Sequence, residues 1–307
     1  MKSIIIIFPY FGNLPPQYNA WRASALHNPT ITFMFFTDAD VKPAENIIVH
    51  KMEFRIFQQM VQKAFDFPIV LDRPYKLCEY KQAYGYILQD YIKGYDYWGF
   101  GDLDLVYGDI RSFLTDSVLE YKFLLGWGHM TILHNDEDTN TYFMKQVPGY
   151  QNYKEAFTTS RITFFDEYGF NGCSDKWKDC RPEECWLESP FDNASKPKQS
   201  YHFNSLTRGW KQVIFEHKEN KLYMIRFNHG HIEKKESLYA HFQHRGFMKD
   251  RVTNYSHFII TPNSIIDYPI LFVYPRLHWF CRKRSLVTKY YQWKDLIIWK
   301  LGKSKSK

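Results

Sequence analysis

Ile4 to Ile7 are four consecutive isoleucines, followed by Phe8 and stopped by Pro9. A continuous apolar run of strand length, without alternation, is the pattern of a strand buried on both faces, as in a parallel sheet. Ile31 to Phe36 repeats it and closes on Thr37-Asp38, and residues 46–50 predict a third short strand. Between and after them, Gln17 to Leu26 and Arg55 to Phe65 predict helices. Tyr75 to Ile92 predicts a longer helix with Gly94 as its stop. Tyr95 to Phe100 predicts a further strand, broken by Gly101 immediately before Asp102-Leu103-Asp104. Strands alternating with helices predict an α/β fold with a mostly parallel central sheet, here as one domain over residues 1–255. Beyond residue 120, Tyr121 to Trp127, Met130 to Leu133, Leu222 to Phe227 and Ser237 to Phe242 predict strands, and residues 170–210 read as irregular.

Ligands of such sheets bind beyond the carboxyl ends of the strands. Three polar segments fall there: the loop opened by Pro9, Tyr10 and Phe11, then Asp38, then the acidic pair. Two carboxylates flanking one residue on the turn after a buried strand can hold a divalent ion and leave positions open for a diphosphate. A nucleotide sugar needs such an ion, Mn²⁺ or Mg²⁺, because its leaving group is a nucleoside diphosphate. Lys81, upstream, is a candidate phosphate contact, and Asp38 a candidate acceptor for a base or ribose hydrogen bond. Late in the chain, His241 is a candidate third metal ligand and Arg245 a second phosphate contact. Trp127, between Gly126 and Gly128, offers an apolar platform for a sugar. Asp166 and Glu167, beside Phe164, Phe165 and Tyr168, are the candidate catalytic carboxylates, since an inverting enzyme needs a base near the acceptor hydroxyl. A retaining enzyme needs none, and the stereochemistry stays open.

Composition adds a partner and a location. Aromatic residues make up 19% of the chain, which suits stacking on sugars or resting on a membrane surface. The formal charge of +7 is concentrated: residues 276–307 hold ten Lys/Arg against one acid, Asp295, leaving the rest at −2. A nucleic-acid enzyme would carry basic residues on its main domain as well, so nucleic acid is not the expected partner. On a helix, Tyr290, Trp293, Ile297 and Leu301 share one face while Lys289, Lys294 and Lys300 lie elsewhere. This amphipathic basic pattern predicts a C-terminal segment, residues 256–307, that rests on an anionic membrane surface. The first apolar run is too short for a secretory leader, and no stretch reaches the ~20 residues of a membrane span. The expected location is therefore the cytoplasm, at the inner face of the cell membrane. The five cysteines have no zinc-ligand spacing and read as free thiols.

Tyr75-Lys-Leu-Cys-Glu-Tyr-Lys-Gln-Ala-Tyr-Gly85 and Tyr97-Trp-Gly-Phe-Gly-Asp-Leu-Asp-Leu-Val-Tyr-Gly-Asp-Ile110, with the late Ala240-His-Phe-Gln-His-Arg245, resemble a bacterial glycosyltransferase-like family of surface-polysaccharide gene clusters. The resemblance implies a GT-A-like fold and a nucleotide-sugar donor, without naming its sugar; a UDP-sugar is the expected donor. It also implies a divalent metal at Asp102 and Asp104 with His241 as a further ligand. With the C-terminal segment at the membrane surface, the expected acceptor is a polyprenyl-diphosphate-linked saccharide. Glu79 and Gln82 depart from it, standing where Asp and Pro are usual. Two rivals remain: a sugar nucleotidyltransferase and an inactive carbohydrate-binding scaffold at the membrane. The first normally needs a glycine-rich loop after the first strand, and Phe8 to Pro16 carries one glycine.

Overall fold

The isoleucine run becomes β1 (Ile4–Pro9), flanked on both sides by parallel neighbours, with Ile4 to Ile7 no more than 1% exposed. The computed structural model describes residues 1–188, 190–193, 203–205, 209–228, 230–242, 249–262, 264–269, 273–282, 293–294 and 297. The chain divides into two compact units, the first from Met1–Leu14, Pro29–Asp102 and Leu114–Glu188, the second from Pro15–Asn28, Leu103–Phe113 and Ser189–Lys307.

In the first unit, β2 (Ile31–Thr37), β3 (Ile47–Lys51) and β4 (Tyr97–Gly101) lie parallel with β1. The short β5 (Leu105–Tyr107) belongs to the second unit. The first sheet is completed by β6 (Phe123–Trp127), β7 (Met130–His134) and β8 (Cys185–Trp186), in the order β3-β2-β1-β4-β7-β6-β8. Only β7 runs against its neighbours, so the fold is α/β with a mostly parallel central sheet, as the hydrophobic pattern predicts. A buried cluster that includes Ile5, Ile7, Phe36, Phe57, Tyr80, Trp98, Phe157 and Trp177 packs against the sheet.

The predicted helix over residues 75–92 takes another form. Pro74–Ala83 is a 3₁₀-helix, followed by two single turns, Tyr84–Ile87 and Gln89–Ile92. At three residues per turn, side chains at i and i+3 eclipse, and burial follows that period. Leu77, Tyr80 and Ala83 enter the core; Lys76, Glu79 and Gln82 form a second, polar edge that is also buried; Tyr75, Cys78 and Lys81 form the more exposed third. Polar groups are buried at this cost only when partnered, and the partners of Lys76 and Glu79 are backbone groups of residues 156–164. An α-helix would carry these three residues around its surface. The tertiary hydrogen bonds override its propensity.

The second unit holds the helix α1 (Tyr18–Leu26) and most of the later strands. Those strands are β9 (Asp192–Asn193), β10 (Phe203–Asn204), β11 (Lys211–Lys218), β12 (Lys221–Asn228), β13 (His231–Ser237), β14 (Tyr239–His241), β15 (Lys249–Arg251), β16 (His257–Thr261) and β17 (Ser264–Asp267). They form a largely antiparallel sheet, β13-β12-β11-β16-β17-β15 with β10 on β11, and a small one, β5-β14-β9. Three expectations change, the first of them in the first unit. The helix Cys173–Cys180 lies inside the region read as irregular. The strand expected over Ser237 to Phe242 is broken at Leu238, where β13 ends and β14 begins. The boundary at residue 255 falls between β15 and β16, which share one sheet, because Phe258 and Ile260 pack into the same core as Phe215 and Met224.

The basic C-terminal segment is described in part. Val273–Arg282 is a helix whose Leu277 is fully buried against Ile214, Ile225 and Ile259. Trp293 and Ile297 are helical and exposed, whereas Tyr290 and Leu301 lie outside the described residues. Among the described residues no helix is long and apolar enough to cross a membrane.

Candidate active site

Strand β4 ends in glycine, and Asp102 follows with its N–H donating to the carbonyl of His129 (3.0 Å), which prolongs the β4–β7 pairing by one bond. The backbone of Asp102 is thus fixed by the sheet while its side chain projects from the strand end. Lys81, on the third edge of the 3₁₀-helix, meets it there. Its ammonium donates to Asp102 Oδ1 (2.7 Å) and to the Gly128 carbonyl (2.7 Å), and lies 3.6 Å from Asp166 Oδ2. Burial alone would lower the Lys81 ammonium, but the Asp102 and Asp166 carboxylates hold it well above its ordinary value. Lys81 is therefore a fixed positive charge.

Asp166 is 2% exposed. Burial pushes its carboxyl up to about 8, against the pull of Lys81 and with the help of Glu167 and Asp102. Gly128 makes room for this arrangement: a Cβ there would stand 2.6 Å from the Glu167 carboxyl and 3.1 Å from Asp166 Oδ2. The close approach that Gly128 permits is thus that of the two carboxylates. Trp127 keeps an aromatic neighbourhood, stacked on His129 and edge-on to Tyr168.

In the second unit, Asp104 and His241 come together. β5 pairs antiparallel with β14, placing Leu105 opposite His241, and Phe242 N–H donates to the Asp104 carbonyl (2.8 Å). The His241 Nε2 then lies 3.4 Å from Asp104 Oδ1, with His241 only 4% exposed. A residue after β4 is thereby paired with one more than a hundred positions later in the chain. Asp102 precedes Asp104 by two residues, the chain passing from the first unit to the second between Asp102 and Leu103.

The nucleotide-side candidates are placed more loosely. Pro9 ends β1, Tyr10 N–H donates to the Phe36 carbonyl (3.0 Å), and the Gly12 N–H donates to Asp38 Oδ1 (2.8 Å). Asp38 therefore fastens the loop after β1 to the end of β2, which brings Pro9, Tyr10 and Asp38 together. Phe11 turns the other way, into the core against Phe54 and Phe57. Arg245 lies outside the described residues.

Sequence reasoning missed two carboxylates that hold the turn around Asp166. Glu79, fully buried, accepts from the Thr163 N–H (2.9 Å), the Phe164 N–H (2.8 Å) and the Thr163 hydroxyl. Asp175 accepts from the N–H groups of Gly169, Phe170 and Asn171. The signal for Glu79 was the three-residue period of polar positions, Lys76-Glu79-Gln82, hidden when the segment is read with a period of 3.6.

No curated protein matches the chain. Among solved structures it is similar to the apo form of mouse xyloside xylosyltransferase 1, at 11% identity and a TM-score of 0.33, over 63% of this chain and 87% of that one. A family model matches residues 6–269, and the chain belongs to that family, described as a family of unknown function (DUF6625).

Proposed function

We propose that the chain is a metal-dependent glycosyltransferase with a GT-A-like fold, transferring a sugar from a nucleotide-sugar donor to a saccharide acceptor. The observation that carries this reading is the Asp102-Leu103-Asp104 turn at the carboxyl end of β4. Each of its acids has a partner suited to the chemistry, Lys81 for Asp102 and His241 for Asp104. Carboxylate oxygens with one imidazole are a fitting donor set for Mn²⁺ or Mg²⁺, and Asp102, Asp104 and His241 are the residues that would hold the ion. When bound, such an ion neutralises the charge that develops on a departing nucleoside diphosphate.

The chain's own residues supply the rest. Lys81, charged throughout the physiological range, adds a second cation beside Asp102 for a diphosphate. Asp166 is the base for the acceptor hydroxyl: with its carboxyl raised to about 8, its ionised form takes a proton far better than an ordinary carboxylate and becomes the main form above that pH. Glu167, sharing the space beside Gly128, is the second carboxylate of that side. The loop of Pro9 and Tyr10, with Asp38, faces the base and ribose of a UDP-sugar. The basic C-terminal segment supports work at an anionic membrane surface on a polyprenyl-diphosphate-linked acceptor, in surface-polysaccharide assembly.

The test is a thermal-shift screen of the full chain against UDP-, GDP-, CMP- and dTDP-sugars with and without Mn²⁺. Metal-dependent stabilisation by one nucleotide, lost in Asp104→Asn, is the expected result. A ligand at a hundred times its Kd adds about 2.7 kcal/mol. Stabilisation that persists without metal and survives Asp104→Asn would remove the metal from the reading.

A further inference from the structure

The turn that delivers Asp166 is held at both ends. At its start Glu79 takes the Thr163 and Phe164 N–H groups; at its end Asp175 takes those of Gly169, Phe170 and Asn171. Between them, Cys173 N–H donates to the Phe165 carbonyl (2.8 Å) and Ser174 Oγ to the Asp166 carbonyl (2.9 Å). Gln151 Nε2 reaches the carbonyls of both Thr163 (2.9 Å) and Phe170 (2.8 Å).

This bracing is matched by strain. Phe164 has φ of 61° and Asn171 of 55°, left-handed values that cost a side-chain-bearing residue energy, most of all a bulky one. Phe164 can stay there because its N–H is tied to Glu79. The consequence is geometric: Phe164 points outward, 41% exposed, Phe165 turns fully into the core, and Asp166 turns toward Lys81.

Glu79 itself lies within 3.7 Å of Lys76, both side chains fully buried, so a simpler role as the partner of a buried cation competes. Lys76, however, also donates to the carbonyls of Ala156 (3.0 Å) and Arg161 (2.6 Å). Backbone carbonyls thus hold the ammonium in place and Glu79 supplies its counter-charge, while the N–H groups of Thr163 and Phe164 have their acceptor in Glu79.

We propose that Glu79 is a positioning residue for Asp166: its buried carboxylate fixes the backbone at Thr163 and Phe164 and so sets the direction in which Asp166 leaves the turn. The catalytic half of this inference rests on the glycosyl-transfer reading; the structural half does not.

Two conservative changes, one isosteric and one shorter by a methylene, separate reach from charge. Glu79→Gln keeps an oxygen at the right distance for both N–H groups and removes the charge. Glu79→Asp keeps the charge opposite Lys76 and withdraws it by one bond, ~1.5 Å, beyond hydrogen-bonding distance of the turn. Both are compared with the unaltered full chain by amide hydrogen exchange over residues 161–168, and by Mn²⁺-dependent release of the nucleotide from the donors screened above, a nucleoside diphosphate from UDP-, GDP- and dTDP-sugars and CMP from CMP-sugars.

In Glu79→Asp, exchange at Thr163 and Phe164 should accelerate at least about tenfold, the change that corresponds to ~1.4 kcal/mol of local opening. Its kcat should fall on the order of 10²-fold, with KM for the donor unchanged. Glu79→Gln should stay close to the unaltered protein in both measurements. The reverse ranking, Glu79→Asp normal and Glu79→Gln impaired, would assign Glu79 to Lys76 and overturn the proposal. So would unaltered exchange in Glu79→Asp. Should the unaltered protein release neither a nucleoside diphosphate nor CMP from any donor, the glycosyl-transfer reading fails, and the exchange rates still decide the role of Glu79.

Discussion

At Asp166, burial and a neighbouring cation pull in opposite directions. Burial wins, and the carboxyl, ordinarily near 3.8, is pushed up to about 8. The fold thus favours the protonated acid. Between those two values the unfolded chain has released this proton while the native state still holds it, so stability falls as pH rises through the window and levels off above about 8. Asp166→Asn imitates the protonated form. Melting curves of the metal-free protein should show the Asn variant gaining on the unaltered protein between pH 4 and 8, with a constant difference above that. A difference independent of pH would mean that Asp166 is ionised in the fold. Lys81 is the counterweight, placed between Asp102 and Asp166. Lys81→Met should cost about 2 kcal/mol, a figure reduced from that for a fully buried pair because Asp102 is partly exposed. Denaturant unfolding measures it, and no loss would show that the two acids tolerate each other without the ammonium.

The element that places these residues is the 3₁₀-helix Pro74–Ala83. Three residues per turn give it three straight edges, one apolar and buried, one polar and buried, and one presenting Tyr75, Cys78 and Lys81. Its register is set next door, where Gly85 lies against the indole of Trp98. A Cβ at Gly85 would come within 2.4 Å of that ring, which is fully buried and bonded to Asn140. Gly85→Ala should therefore destabilise by about 1–3 kcal/mol through overpacking, although alanine is the better helix former. A neutral or stabilising result in chemical denaturation would show that the segment can shift away from Trp98.

On the scale of the whole molecule, the C-terminal basic segment is where the membrane expectation is tested. Leu277 is part of the core formed with Ile214, Ile225 and Ile259, so truncation must leave the helix Val273–Arg282 intact. A chain ending at Arg282 should fold and lose sedimentation with anionic vesicles, while both forms ignore zwitterionic ones, because each Lys or Arg near an anionic surface contributes ~1 kcal/mol. Equal sedimentation of both forms would sink the membrane-surface reading. Trp293 and Ile297, exposed on helical backbone, are consistent with the expected apolar face.

Much of the first sheet was legible because its signal is local. An uninterrupted run of isoleucines can only satisfy itself buried on both faces, and glycine after such a run ends the strand where Asp102 emerges. The Asp102-Leu103-Asp104 motif is local in the same sense. The antiparallel sheet of residues 203–267 was mostly missed, since its strands alternate weakly and owe their order to pairings across long stretches of chain. What the sequence determined alone is the α/β class of the first unit, the emergence of the acidic pair at a strand end, and the basic character of the C-terminus. Only tertiary structure decided that His241 faces Asp104, through the pairing of β14 with β5, and that Glu79 holds the turn of Asp166. It also decided that residues 74–83 wind with a period of three: their buried polar groups find partners in a distant turn, and those hydrogen bonds outweigh the small local preference for an α-helix.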